Sequence, residues 1–233
     1  MKLLAFETAT EACSVALWID GEVRERFELA PRRHAELSLP WAEQLLADAG
    51  VAKSQLDVIA VGRGPGAFTG VRLAIALAQG IALALDRPVV AISTLAALAM
   101  QSQGEHILAA IDARMGEVYL GAFARKGDEL IATGFEAVLK PDAAPLLDDK
   151  EWHGVGTGFA AADNALQMRL RSQLVAVDAG ALPHAGDVAR LAALALARGE
   201  AVAPDRIEPA YLRNKVALTL VEQQALRAKA GTY

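Results

Sequence analysis

The chain has 233 residues, of which 54% are hydrophobic, 22% charged and 5% aromatic, with a formal net charge of −5. That length allows one domain or two small ones with a real core, and the mild acidity argues against a free-standing nucleic-acid binder, which needs a basic face. The single cysteine, Cys13, excludes an internal disulfide framework and fits a reducing, cytoplasmic compartment.

The opening "MKLLAFETAT" reaches acidic Glu7 too soon to supply the apolar core of a signal peptide. "KLLAFETA" and "CSVALWID" read as two strands, Asp20–Gly21 as a hairpin turn, and the alternating "GEVRERFEL" as a third strand. From His34 to Ala49 apolar residues recur at helical spacing (Leu37, Trp41, Leu45, Leu46), and Gly50 is a suitable C-cap. "LDVIAVG" has the pattern of a buried strand. It opens into the glycine loop Gly62–Gly70 and an alanine-rich helix that "DRP" stops at Asp86–Pro88. "PVVAIS" is a further buried strand and "TLAALAMQS" a short helix. Small polar residues at Gln101–Glu105 then mark a lobe boundary.

In the second block, "HILAAIDAR" and "EVYLGAFAR" read as strands around a turn at Met115–Gly116, and "GDELIATGFEAV" continues the sheet. "EWHGVGTGFAA" carries a second glycine cluster, "LVAVD" a strand, "GDVARLAALALARGE" an amphipathic helix and "DRIEPAYLRN" a loop. The tail "VALTLVEQQALRAKA" has a polar-sided helical pattern. The expected division is an N-terminal lobe over 1–103, a C-terminal lobe over 104–216 and a C-terminal helix over 217–233, which could pack back on the first lobe. Together these elements describe an α/β protein with mixed sheets and flanking helices.

The loop from Gly62 fits G-x-G-x-x-A, but no acid ends the following strand to hold a ribose, and the lysine of a Walker A loop is missing. A tight strand-to-helix turn and an anion cradle both stay open. Glu7, Thr8 and Thr10 stand at a strand end, where hydroxyls bind phosphate or simply close a turn. With Gly156 and Gly158 of the second cluster, Thr8 and Thr10 are the nucleotide-binding candidates. None of the four histidines has another at helical metal-pair spacing, HExxH and GxSxG are missing, and no cofactor or metal is expected. Asp112 and Glu117 flank a turn, where they either meet a cation or are solvated. The apolar run Val71–Leu85 is too short for a membrane span and is broken by Arg72 and Gln79. Its small side chains let another backbone approach closely, so a second polypeptide is expected on one of its faces, with full burial inside the monomer as the alternative.

"LLAFETATEACSVAL", "PRRHAELSLPWAEQLL", "GPGAFTGVRL", "AIDARMGEVYLGAF" and "EPAYLRN" resemble the bacterial TsaB (YeaZ) family, related to the so-called glycoproteases. The resemblance spans nearly the whole chain. It implies the two-lobed fold of the actin, sugar-kinase and Hsp70 superfamily, with "FETAT" in the place of that superfamily's first phosphate loop. It also implies a non-catalytic subunit that binds and activates TsaD for threonylcarbamoyl transfer to adenosine 37 of tRNAs reading ANN codons. The ATPase TsaE joins that assembly, and the protein forms a homodimer when alone. tRNA is reached only through the complex, and no membrane is involved. The metal-binding H-x-x-x-H pair of TsaD falls here on Thr94 and Leu98, and Glu7 stands where kinases of the superfamily have aspartate.

By the same resemblance the partner face is formed by His34, Leu37, Trp41 and Leu45 of one helix and Thr69, Arg72, Leu73, Ala76, Leu77 and Gly80 of the other. A bulky charge at Ala76 or Ala78 is expected to break that face while leaving the lobe folded. The competing reading is a nucleotide-dependent phosphotransferase using "FETAT" and "GVGTGFAA". A peptidase, which the glycoprotease label suggests, lacks both a metal pair and a serine elbow.

Overall fold

A computed structural model describes residues 1–127 and 129–213. The tail helix expected from residue 217 onward lies outside these described residues.

Strands β1 (Lys2–Glu7), β2 (Ala12–Ile19) and β3 (Glu22–Leu29) form an antiparallel meander. Asp20 and Gly21 both have positive φ, 47° and 107°, as a tight hairpin whose twist matches its strands requires. Helix α1 (His34–Asp48) follows, and β4 (Val58–Gly62) then inserts parallel to β1. Helix α2 (Phe68–Leu85) returns the chain to β5 (Val89–Ile92), parallel to β4. The first sheet thus has the order β3-β2-β1-β4-β5.

Both faces of this sheet are apolar. Leu4, Phe6, Val15, Leu17, Ile59 and Val61 point one way, into a core shared with α1 and α2. Leu3, Ala5, Ala16, Val58, Ala60 and Val90 point the other way. A strand alternates its side chains, so one layer of helices covers only half of such a sheet.

The short helix α3 (Thr94–Ala99) leads into the second sheet, and the Ser93 hydroxyl caps it by accepting from the Leu95 and Ala96 N–H groups. That sheet contains β6 (His106–Arg114), β7 (Glu117–Lys126), β8 (Glu129–Ala132), β9 (Ala137–Leu139), β10 (Trp152–Val155) and β11 (Leu174–Asp178). Its order is β11-β10-β6-β7-β8, with β9 also paired to β7. The Met115–Gly116 turn is where the sequence pattern places it, and "GDELIATGFEAV" continues the sheet through the two strands β8 and β9. Helix α4 (Ala161–Leu170) contributes Leu166 and Leu170 to the core of this sheet.

Helix α5 (Ala185–Ala197), which lies in the 104–216 segment, crosses back to the first sheet. There Val188, Ala189, Leu191 and Ala192 cover the face that α1 and α2 leave open. Its start is tied down by the Ser14 hydroxyl, which accepts from Ala185 N–H, and by Glu25, which accepts from Gly186 N–H and bonds His184. The last described stretch runs from a bridge between Val202 and Val89, through buried Ile207, to Arg213 on the β6–β7 hairpin.

Candidate functional site

The glycine loop between β4 and α2 is a clasp on the turn between β1 and β2. Ala67 N–H donates to Ala9 O at 2.7 Å, and the Thr8 hydroxyl donates to Gly70 O at 2.7 Å. A Cβ on Gly66 would lie 2.4 Å from Ala9 O, and one on Gly70 only 1.9 Å from Thr8 O. Close approach of backbone to backbone is therefore what these glycines provide. The loop is held from its other side by Thr94. Its Oγ1 accepts from Gly64 N–H at 3.1 Å, and its hydroxyl donates to Glu7 Oε2 at 2.9 Å.

Glu7 is 1% exposed, and its Oε1 accepts from Ala9 N–H at 2.7 Å. Burial pushes its carboxyl pKa up to about 7, against the opposing pull of the Ala9 and Thr94 hydrogen bonds. Below the ordinary value of 4.5 the folded and unfolded chains are both protonated there. Between 4.5 and about 7 the folded chain keeps a proton that the unfolded chain has lost, so stability falls as pH rises. At about 1.4 kcal/mol per pKa unit the full loss is on the order of 3 kcal/mol, complete above pH 7. The Glu7→Gln variant should therefore show a smaller drop in Tm between pH 5 and pH 8 than the unaltered chain. Thermal melts across that range check this, and an equal drop in both proteins would refute it.

These contacts locate the nucleotide candidates. Thr8 is fully buried, with its hydroxyl engaged by Gly70 O. Thr10 borders the cleft described below. At Gly156 (φ 105°) a Cβ would lie 2.3 Å from Ala110 O, and at Gly158 2.6 Å from Ala110 Cβ, so the second glycine cluster seats its loop directly on β6. Thr94 serves the clasp just described, and Leu98 is wholly buried in the core between α3 and the second sheet. Among the described residues, no three His, Cys, Asp or Glu side chains come together as a metal-binding group.

A cleft of about 860 Å³ separates the two sheets, bordered by Thr10, Arg32, Arg72, Tyr119, Thr157 and Arg213. On its second-sheet wall, Asp112 pairs with Arg114 at 3.0 Å and Glu117 with Arg213 at 2.6 Å. The two acids that flank the turn are therefore matched by arginines. Arg213 is 96 positions away in the chain, too far for local spacing to have pointed to it.

The outward side of α2 has a different character. Gly70, Val71, Ala74, Ile75, Ala78 and Ala82 are buried against the first sheet. Thr69, Arg72, Ala76, Gly80, Leu83 and Ala84 are exposed, while Leu73 and Leu77 are half-buried. Steps of three and four residues align these positions along one side of the helix. With its start at Phe68 the helix has 18 residues, so by length and composition it could cross a membrane, which the run counted from Val71 could not. Its inner side is instead built into the core.

Beside the exposed stripe, α1 presents half-buried Leu37 and Trp41. His34 is tied by Nε2 to Thr10 O at 3.0 Å and to Ala12 O at 3.2 Å. Two expectations change. Leu45 is only 5% exposed and belongs to the core, because the inner side of α1 rests on β2. Ala78 is fully buried, so a charge there would attack the fold itself, whereas Ala76 points outward.

Residues 28–220 match the family model described as "TsaD: tRNA N6-adenosine threonylcarbamoyltransferase". The tRNA threonylcarbamoyladenosine biosynthesis protein TsaB of Escherichia coli is 42% identical over 93% of this chain and 96% of its own length. That of Haemophilus influenzae is 39% identical over 93% of this chain and 95% of its own length. Among solved structures, YeaZ from Pseudomonas aeruginosa superposes with a TM-score of 0.84 at 49% identity, covering 91% of this chain and 99% of that one.

Proposed function

This chain belongs to the TsaB branch of the TsaD family, and on that premise we propose that it is a non-catalytic subunit that binds TsaD and holds it in its active arrangement. TsaD then transfers the threonylcarbamoyl group to adenosine 37 of tRNAs reading ANN codons, with the TsaE ATPase joining the assembly. In this reading the protein works in the cytoplasm, pairs with a second copy of itself when alone, and meets tRNA only through the complex. The observation that carries the reading is the exposed side of α2, where apolar residues surround the small Ala76 and Gly80 and the half-buried Leu37 and Trp41 of α1 stand alongside. Small residues on one helix let a partner helix approach closely, and contiguous apolar surface of this kind marks an interaction site.

The phosphotransferase reading draws on the inter-sheet cleft. Against it, Thr8 of "FETAT" is buried and holds α2, and Gly66, Gly70 and Gly156 lie against the backbone carbonyls of Ala9, Thr8 and Ala110. Reconstituted tRNA modification tests the proposal, using TsaD, TsaE and the enzyme that makes threonylcarbamoyl-adenylate, with and without this chain. Modification should collapse when the chain is omitted. Full modification in its absence, or ATP turnover by the purified chain with magnesium, would overturn the reading.

A further inference from the structure

At the start of α2 the exposed stripe meets the cleft, and both features share Arg72. Its guanidinium carbon lies 3.2 Å from the centroid of the Phe68 ring and 5.0 Å from that of Tyr211. Both rings are largely exposed, at 61% and 53%. Stacking of this kind fixes the plane of the guanidinium while leaving its edge N–H donors open. Arg33, Arg114 and Arg213 all pair with acids, whereas Arg72 pairs with no carboxylate among the described residues.

The start of α2 itself favours an anion. From Phe68 to Leu85 there is no Asp or Glu, and N-cap Ala67 supplies no side-chain cap to the first turn of α2. The positive end of the helix dipole therefore adds to the arginine. Arg32 lines the same cleft, where Asp112 is occupied by Arg114 and Arg213 by Glu117, while the exposed Glu11 of the β1–β2 turn lies on the first-sheet side of it and does not pair with Arg72.

We infer that Arg72, held between Phe68 and Tyr211, is the polar anchor of the partner face and receives a carboxylate side chain from the TsaD subunit that covers Ala76 and Gly80. This rests on the partner-subunit reading above. It specifies an occupant: a helix whose small-residue approach lies over Ala76 and Gly80, with Asp or Glu placed at the Phe68 end. The paired apolar and ionic contacts would set the register of the two helices.

Binding of the TsaD protein from the same organism, titrated at low and high salt, tests the inference. Arg72→Gln should weaken binding about 10- to 100-fold at low salt, as expected for lost hydrogen bonds to a charged group, and should flatten the salt dependence. Arg72→Lys should keep the salt dependence but recover only part of the affinity, because lysine lacks the planar fork. An Arg72→Gln chain with unaltered affinity, or with weakened affinity and an unchanged salt dependence, would overturn the inference while leaving the partner-subunit reading intact. Failure of the unaltered chain to bind TsaD would instead remove that reading, and this inference with it.

Discussion

Replacing Ala76 with arginine is expected to abolish co-elution with TsaD in gel filtration while the isolated chain melts as before. Ala76 is exposed in the middle of the outward stripe of α2, so in the free chain the new side chain extends into water and disturbs nothing. In the proposed complex a partner helix closes over Ala76 and Gly80 and buries that charge without a counter-ion. An uncompensated buried charge costs on the order of 3–5 kcal/mol, which is at least about a hundredfold in Kd. The contrast comes two residues later. Ala78 is fully buried among the core residues of the first sheet, so the same arginine there should lower Tm or prevent folding. Co-elution of the Ala76→Arg chain with TsaD would show that the partner sits elsewhere.

The second large effect concerns one methyl group placed at two glycines of the same helix. Gly70→Ala should lower Tm markedly, because the added Cβ would lie 1.9 Å from Thr8 O, a backbone atom that moves only if the clasp opens. Overpacking of this kind costs about 1–3 kcal/mol, occasionally more. At roughly 2–4 °C per kcal/mol for a chain of this size, the loss is about 2–12 °C. The Thr8 hydroxyl bond to Gly70 O should be lost as well, and α2 should seat less firmly on the sheet. Gly80→Ala is the counterpart: a Cβ there meets nothing within 4 Å. In an exposed helix interior, alanine in place of glycine stabilises by about 0.5–1 kcal/mol. Calorimetric melts of both variants decide the matter. Equal shifts would mean that the loop glycines are not there for close backbone approach. Because Gly80 lies on the proposed partner face, Gly80→Ala is also expected to separate two effects, with the isolated chain gaining stability while the proposed complex with TsaD weakens.

How much of this was legible in the sequence differs from element to element. The strands and helices of the first sheet stand where the hydrophobic patterns place them, because unbroken runs such as "LDVIAVG" and the three- and four-residue spacing in α1 are local signals. The glycine loop was legible as a strand-to-helix turn, but not the reason for its glycines, which lies in Thr8 and Ala9, some sixty residues earlier. Leu45 was misplaced because spacing gives the periodicity of a helix and not the rotation at which it meets its sheet. Ala76 and Ala78 look equivalent in a run of alanines, yet they lie about 200° apart around the helix axis, and only contact with the sheet decides which of them is inside.

By itself, the sequence determined the alternation of strands and helices, the Asp20–Gly21 and Met115–Gly116 turns, and a second helix too apolar to stand alone in water. These rest on interactions between residues close in the chain, where conformational preference and hydrophobic period are already written. Only the tertiary structure decided that Thr94 and Glu7 brace the glycine loop, that α5 returns to cover the far face of the first sheet, and that Arg213 reaches Glu117 while Arg72 is left between two rings. Those pairings join residues distant in the chain, and they exist only once both sheets have packed their apolar faces away from water and brought these residues together.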